Sequence, residues 1–198
     1  GLDCERFYLD TAFADVKCVW GEGRAGAIRA SALKAANLEA LRVTGNPAYD
    51  GLRPPEAPAS GGVRWLLVTR PHTPRKCFTA GRFPVEGADI FSALLDALRA
   101  APSARLTIKP HPTDYLGLYR RLAAESGLGD RIAFADGGVA AALDAADVVV
   151  TEDSTAALDA MLKGKPLVHA HFAPTPPALP LEAYGAALAG ADAATLPG

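Results

Sequence analysis

Residues 147–169, DVVVTEDSTAALDAMLKGKPLVH, contain the pattern that decides the fold. Three consecutive valines at 148–150 indicate a buried strand, and an acidic, hydroxyl-rich turn at 152–155 follows directly. The sequence Gly-Lys-Pro at 164–166 predicts the end of the intervening helix, before a second apolar run at 167–168. Open α/β sheets bind ligands where a parallel strand ends and a helix begins, and the free N–H groups of that helix favour a phosphate. The stretch therefore predicts a strand–helix–strand unit with an anion-binding turn.

The same alternation occurs along most of the chain. Strand patterns occur at 64–69, 105–108, 131–135, 147–151 and 166–171. Helical patterns occur at 87–101, 113–126, 139–146 and 154–163. Strands that alternate with short helices predict βαβ units with right-handed crossovers. We therefore expect an α/β fold, a Rossmann-like parallel sheet flanked by helices, within residues 62–172.

A segment rich in glycine and proline, GLRPPEAPASG at 51–61, has the composition of a linker and predicts a domain boundary. Residues 1–50 hold short strand patterns at 16–20 and 41–44, and an alanine-rich helical pattern at 25–36. This is too little apolar surface for an independent domain, so we expect residues 1–50 to pack on the second domain, 62–198, or on another copy of the chain. The chain stops at Leu196-Pro197-Gly198 without a closing helix, which suggests that it is part of a longer protein.

Composition limits the classes of partner. The chain has 20 Lys and Arg against 22 Asp and Glu, a formal charge of −2, so no global basic field indicates a nucleic acid partner. The three cysteines, at 4, 18 and 77, form no metal-binding or disulfide pattern, which favours a reducing, cytoplasmic compartment. Neither a signal peptide nor a long apolar run is present, so any membrane association of the full-length protein is expected to be peripheral.

The sequence Lys109-Pro110-His111-Pro112 follows the strand pattern at 105–108. Two prolines fix the backbone on either side of His111, so its ring is well placed to donate to a phosphate oxygen. The alternative is a histidine that makes only a structural hydrogen bond at a strand end. The position of the motif favours a binding site that includes Lys109, His111 and Pro112.

The turn Glu152-Asp153-Ser154-Thr155 is the second candidate. Asp153 or Ser154 is suited to cap the following helix, which explains one of these residues without any ligand. Capping does not need two adjacent hydroxyl groups, however. We therefore predict that Asp153, Ser154 and Thr155 hold phosphates together with the N–H groups of the helix.

Weaker candidates are Arg70 and His72 in a basic loop, Glu22 in the turn Trp20-Gly21-Glu22-Gly23, and His169. The loop is equally consistent with a solvated surface, and Glu22 with an exposed turn acid. His169 and His171 lie on one face of a strand, but no third ligand is near them in sequence, so we predict no metal site. His169 is instead a candidate nucleotide contact.

In their order along the chain, four segments resemble the GT-B glycosyltransferases: Val43–Asp50, Lys109–Pro112, Asp153–Thr155 and Lys163–Pro166. The similarity is greatest to capsule and teichoic-acid type enzymes, namely CDP-glycerol glycerophosphotransferases, Kdo transferases and bacterial polysialyltransferases. The UDP-N-acetylglucosamine 2-epimerases are similar in the same places. The resemblance covers residues 16–190.

The resemblance implies that 62–198 is the donor-binding domain of a glycosyltransferase of surface polysaccharide synthesis, and that 1–50 is a remnant of the acceptor-side domain. His111, Ser154 and Thr155 then hold the phosphates of a CMP-, CDP- or UDP-activated sugar, and no cofactor or metal is needed. The acceptor is a glycan or a lipid-linked glycan at the inner face of the membrane, and a homo-oligomer is compatible with the family. The catalytic base does not carry over, so we expect this chain alone to bind nucleotide and to turn over poorly. A sugar-nucleotide 2-epimerase and a non-catalytic nucleotide-binding module remain alternatives.

Overall fold

The computed structural model describes residues 14–30, 38–51, 62–70, 84–172, 181–182 and 185–190. Its residues fall into two compact units, 1–52 and 53–198. The predicted linker, 51–61, lies outside the described residues except for Gly51.

Unit 1 contains one short βαβ element. Its strands β1 (Lys17–Val19) and β2 (Leu41–Val43) pair in parallel, and helix α1 (Glu22–Ala30) lies between them in sequence. A small core joins the three elements through Val19, Ala25, Ile28 and Leu41. The turn after β2 is closed by Asn46, whose side chain accepts a hydrogen bond from the N–H of Ala48 at 3.1 Å. Both predicted strands are therefore present, and the predicted helix begins three residues earlier than expected.

Unit 2 is built on a parallel sheet of six strands. These are β3 (Arg64–Val68), β4 (Arg105–Lys109), β5 (Ile132–Phe134), β6 (Val148–Thr151), β7 (Leu167–Ala170) and β8 (Leu188–Gly190). Its helices are α2 (Pro84–Ala100), α3 (Leu116–Glu125), α4 (Val139–Ala145) and α5 (Ala156–Leu162). The order across the sheet is β5-β4-β3-β6-β7-β8, so the chain winds outward from β3 in one direction and then, from β6, in the other. This is the doubly wound order of a Rossmann fold, and the predicted fold class is confirmed.

Helices cover both faces of the sheet. On β3, Leu67 points to a core shared with α2 and α3, whereas Leu66 and Val68 point to a core shared with α4 and α5. This two-residue alternation between faces explains why the strand is apolar along its length. Burial of each such leucine contributes about 1.5 to 3 kcal/mol. None of the described helices is long and apolar enough to span a membrane.

A glycine ends helix α5 as its sequence predicts. The N–H of Lys165 donates to the carbonyl of Ala160, and the N–H of Gly164 donates to that of Met161, both at 2.9 Å. This pair of bonds is a Schellman motif, which needs a left-handed residue, and Gly164 has a φ of 63°. Pro166 cannot continue the helix, and the chain therefore turns directly into β7.

The sheet extends further than the sequence predicts. The predicted sheet ends at residue 172, but β8 pairs with β7 through Val168 and Leu188. This strand has three residues and an alanine- and glycine-rich sequence with no alternating apolar pattern. Pairing with β7 holds these three residues in an extended conformation, and their sequence alone does not predict a strand.

Arg64 and Asp147 join the amino-terminal ends of β3 and β6. The guanidinium of Arg64 donates to both carboxylate oxygens, at 2.6 and 3.0 Å, and the Arg64 backbone N–H donates to Oδ2 at 2.8 Å. The Asp147 N–H in turn donates to the carbonyl of Arg64 at 2.8 Å. The hydrogen bonds from Arg64 lower the pKa of Asp147 from 3.8 to about 2. The pair thus stabilises the folded state when Asp147 is ionised.

We expect Asp147→Asn to lower the free energy of unfolding near pH 7. Because the pKa of Asp147 is depressed in the folded state, its contribution is complete above the ordinary value of 3.8 and is lost as the pH falls through about 2. Urea unfolding of the wild type and of Asp147→Asn at several pH values should therefore show a difference in the free energy of unfolding that becomes smaller as the pH is lowered. Asp89→Asn, at an exposed carboxylate on α2, is the matched control and should show little difference at any pH. If Asp147→Asn lowers the free energy of unfolding by the same amount at neutral and acid pH, the charge of Asp147 does not contribute to stability.

Candidate functional site

The carboxyl ends of four neighbouring strands lie at one level of the sheet. Val68 is in register with Lys109 on one side and with Thr151 on the other, and Thr151 is in register with His169. The loops that carry the predicted residues therefore leave the same edge, at the point where the strand order reverses. The two main motifs follow β4 and β6, which are separated only by β3, a lateral distance of about 10 Å.

His111 is exposed at this edge, and its ring orientation is fixed by Thr113. Nδ1 accepts a hydrogen bond from the N–H of Thr113 at 3.2 Å, and the Thr113 hydroxyl oxygen is 3.0 Å away. A neutral ring whose Nδ1 is an acceptor carries its proton on Nε2, an assignment that follows from the hydrogen-bond network. His111 is therefore a hydrogen-bond donor through Nε2.

The backbone of His111 is held by a group of residues that sequence analysis did not select. The N–H of His111 donates to Thr69 Oγ1 at 3.0 Å, and the Thr69 hydroxyl donates to Asp114 Oδ2 at 2.5 Å. The buried phenol of Tyr119 is hydrogen-bonded to Asp114. Tyr119 lies within the helical pattern at 113–126, which gives no sign of a polar role. Within the sequence, the only sign of this group is a threonine, Thr69, at the end of a predicted strand. Its partners Asp114 and His111 are distant in sequence, so the pattern does not reveal them.

Ser154 caps helix α5. Its Oγ accepts a hydrogen bond from the N–H of Ala156 at 3.3 Å, and its carbonyl accepts from the N–H of Ala157 at 3.0 Å. Ser154 therefore has the capping role that the sequence suggested. Its hydroxyl hydrogen is not used in this role and can be donated to a ligand. The Thr155 side chain is exposed and makes no capping hydrogen bond. The helix has seven residues and begins two residues later than predicted.

Asp153 is buried among basic groups. Its Oδ1 lies 3.2 Å from His169 Nε2, and its Oδ2 lies 3.9 Å from both Arg70 Nη1 and His171 Nδ1. A carboxylate repels a phosphate, so this inward orientation leaves the adjacent hydroxyl groups to meet an anion. The arrangement indicates that Asp153 supports the turn, whereas sequence analysis placed it among the phosphate-binding residues.

His169 has no exposed surface. Its Nδ1 lies 2.8 Å from Glu182 Oε1, and its Nε2 faces Asp153 without a hydrogen bond of good alignment, although the two atoms are 3.2 Å apart. The ring thus connects the turn after β6 to the segment that precedes β8. Direct contact with a nucleotide would require the ring to become exposed, so the structure favours a supporting role for His169.

The remaining candidates lie as follows. Lys109 is half-buried with Nζ 3.3 Å from the carbonyl of Pro110, and Pro112 is exposed. Glu22 does not lie in a turn, as the glycines around it predicted, because it begins α1 and pairs with Arg29 at 3.1 Å. His72 lies outside the described residues. Among those that are described, no three His, Cys, Asp or Glu side chains are grouped to hold a metal ion.

A hollow of about 240 Å³ lies elsewhere on unit 2. It is lined by Arg64, Trp65, Thr107, Asp136 and the alanines of α4. Arg64 and Trp65 lie at the amino-terminal end of β3, whereas Ala135 and Asp136 follow β5 at its carboxyl end, so the hollow runs along one face of the sheet. None of His111, Ser154 and Thr155 lines it.

A family model described as capsule polysaccharide biosynthesis protein matches residues 75–173, half of the 198 residues. No curated protein matches the sequence. Several solved structures share the fold. Staphylococcus aureus MnaA, solved with UDP, is 17% identical over 79% of this chain and 42% of its own, with a TM-score of 0.56.

Two further structures are similar over most of the chain. Methanocaldococcus jannaschii UDP-GlcNAc 2-epimerase, in complex with UDP-GlcNAc and UDP, is 11% identical over 90% of this chain and 51% of its own, with a TM-score of 0.56. The pneumococcal O-GlcNAc transferase GtfA, in complex with UDP and GlcNAc, is 14% identical over 82% of this chain and 31% of its own, with a TM-score of 0.54. The chain thus spans between 31% and 51% of these three structures. These matches show that the chain shares the fold of these three structures, which is the fold that the resemblance implied.

We expect His169→Ala to lower the free energy of unfolding by about 3 kcal/mol, because it leaves the buried Asp153 and the half-buried Glu182 without their shared partner. His111→Ala is the matched control, since the same substitution at an exposed histidine should change stability by no more than about 0.5 kcal/mol. Urea unfolding of the three proteins measures both values. Equal stability of the two variants would show that the contacts of His169 do not support the fold.

Proposed function

The chain belongs to the capsule polysaccharide biosynthesis protein family, and we propose that its second unit is the donor-binding half of a GT-B glycosyltransferase of surface polysaccharide synthesis. The observation that carries the proposal is the position of His111, Ser154 and Thr155. All three lie in loops at the carboxyl edge of the sheet, beside the point where the strand order reverses. Sheets of this kind bind nucleotides at that point.

The proposed chemistry is electrostatic. When a glycosyl bond to a nucleotide breaks, negative charge develops on the phosphate that leaves. His111 Nε2–H and the hydroxyl groups of Ser154 and Thr155 are donors that can meet this charge, and hydrogen bonds to a charged acceptor are stronger than neutral ones. The proposal requires neither a metal ion nor a cofactor apart from the activated sugar itself.

The ligand class follows from the same residues and is supported by the similar structures, which contain UDP. We propose a pyrimidine nucleoside mono- or diphosphate, of the CMP, CDP or UDP type, as the activating group of the sugar. The acceptor, a glycan or a lipid-linked glycan, meets the donor at the cytoplasmic face of the membrane, where the full-length protein associates peripherally or as a homo-oligomer. Because the chain spans between 31% and 51% of the three structures reported above, we propose that further sequence completes the acceptor side, of which residues 1–50 are a remnant, and supplies the base.

A sugar-nucleotide 2-epimerase is the second candidate function. It is favoured by the similarity to the M. jannaschii enzyme, which extends over 90% of this chain. The two reactions differ in their products, since a transferase releases a nucleotide and an epimerase returns a nucleotide sugar. Product analysis with the full-length protein and UDP-GlcNAc therefore separates them.

We expect calorimetry with CMP, CDP, UMP, UDP and GDP to show binding of at least one pyrimidine nucleotide. His111→Ala should weaken that affinity by about tenfold to a hundredfold, as should Thr155→Val, because each removes a donor to a charged acceptor worth about 1.5 to 3 kcal/mol. Thr155 is preferred to Ser154 because its hydroxyl does not cap the helix.

Two controls test whether the effect is specific to phosphate. The nucleoside without phosphate should bind the wild type and the His111→Ala protein equally. Thr44→Val, at an exposed threonine of unit 1, should leave nucleotide affinity unchanged. Unaltered affinity in both His111→Ala and Thr155→Val would refute the proposed site.

A further inference from the structure

We infer that Thr69 is a positioning residue of the nucleotide site that acts through His111. The inference rests on the proposed binding of phosphate by His111. Thr69 directly follows β3, at the point where the strand order reverses, and its side chain is 2% exposed. A buried side chain cannot touch the nucleotide, so any effect on binding must be transmitted through its hydrogen bonds.

The hydroxyl of Thr69 connects two elements of the site. It has one hydrogen, which it donates to Asp114 Oδ2 at 2.5 Å, and it accepts the N–H of His111 at 3.0 Å. Because the hydrogen is committed to the carboxylate, an oxygen lone pair is left for the backbone of His111. One side chain at the end of β3 thus holds the first and last residues of the turn that follows β4.

Asp114 closes that turn and anchors it. Its N–H donates to the carbonyl of His111 at 2.9 Å, and its Oδ1 accepts from the N–H of Tyr115 at 2.8 Å. The phenol of Tyr119 is hydrogen-bonded to the same carboxylate. Burial and the charges of Asp114 and Glu152 raise the pKa of Tyr119, so the phenol keeps its proton and remains a donor.

Tyr119 connects this network to the hydrophobic core. Its side chain is 1% exposed, and its ring packs edge to face on Phe91 at a centroid distance of 5.5 Å. The path from the core to the surface is therefore Tyr119, Asp114, Thr69 and the backbone of His111. The Nδ1–Thr113 contact, which fixes the proton on Nε2, lies within the same turn and depends on its shape.

A threonine on the next strand provides a matched control. Thr151 is fully buried at the end of β6, but its hydroxyl donates to the carbonyl of Val68 at 3.2 Å and not to the turn that carries His111. Thr69→Val and Thr151→Val therefore remove the same atom at the same depth and on the same edge. Only the first change removes a hydrogen bond from the His111 backbone.

The experiment measures UDP affinity by calorimetry in the whole chain for the wild type and for Thr69→Val, Thr69→Ser, Tyr119→Phe, Thr151→Val and His111→Ala. We expect Thr69→Val to weaken UDP binding about tenfold and Tyr119→Phe about threefold, while Thr69→Ser and Thr151→Val stay within about twofold of the wild type. In the Thr69→Val and His111→Ala double variant, the threonine change should add less than about twofold, because residues that act through one another are not additive.

A second readout is independent of nucleotide binding. The ring nitrogen shifts of His111, measured by NMR without ligand at about pH 9, where an imidazole is neutral, report which nitrogen holds the proton. Thr69→Val should raise the population with the proton on Nδ1, and Thr151→Val should not. If the wild type does not bind UDP, the proposed function fails while this spectrum still decides the role of Thr69.

Three results would overturn the positioning role. One is a Thr69→Val protein with wild-type UDP affinity and an unchanged His111 spectrum. The second is an equal effect of Thr69→Val in the presence and absence of the His111 side chain, which would mean that Thr69 acts elsewhere. The third is an equal loss of affinity in Thr69→Val and Thr151→Val, which would reflect stability alone. If Thr69→Val does not fold, Tyr119→Phe takes its place in each comparison.

Discussion

Parallel pairing at a common level is the constraint on which the rest of this structure depends. Lys109, Val68, Thr151 and His169 lie side by side on four neighbouring strands, so the loops that follow them leave the sheet at one edge. A parallel sheet needs a helical crossover after each strand, and the reversal of winding between β3 and β6 sends those crossovers to opposite faces. At this edge, His111 and Thr155, which follow β4 and β6, are exposed. Polar side chains placed there can reach a ligand without disturbing the core.

The two edges of the sheet have different roles. At the amino-terminal edge, Arg64 and Asp147 join β3 to β6 through a cluster of direct hydrogen bonds. At the carboxyl edge, the exposed donors His111 and Thr155 follow β4 and β6. A longer contact joins β3 and β6 at this edge, because Arg70, which follows β3, lies 3.9 Å from Asp153, which follows β6. Substitution of the Arg64–Asp147 pair therefore changes stability at the edge opposite the predicted binding residues.

Charge at the functional edge is arranged so that the acidic groups face inward. Asp153 is surrounded by Arg70, His169 and His171, and Asp114 accepts hydrogen bonds from Thr69 and Tyr119. An exposed carboxylate in either place would repel an anionic ligand. Partnered and turned inward, these two carboxylates hold the loops in shape, while His111 and Thr155 are exposed and Ser154 is half-buried. The donors thus depend on acidic residues that do not meet the ligand.

Much of the fold could be predicted from the chain alone, because its signals are local. The valines of β6 and the Gly-Lys-Pro sequence after α5 mark elements through periodicity and backbone conformation, which act within a few residues. His111 and Ser154 were found by their places after predicted strands. The boundaries were less certain, and β8 was missed, since a three-residue strand is defined only by its neighbour.

By itself, the sequence determined the order of the strands and helices as far as β7 and the residues that follow each of those strands. Tertiary structure alone decided which strands are neighbours and which side chains meet. Thr69 and Asp114 are 45 residues apart, and His169 lies between acidic groups contributed by two other segments. Such contacts have no period and no fixed spacing, because the hydrogen bond depends on where the sheet places each strand end. The physical reason is that backbone preferences are set by adjacent residues, whereas the geometry of the site is set by packing between distant ones.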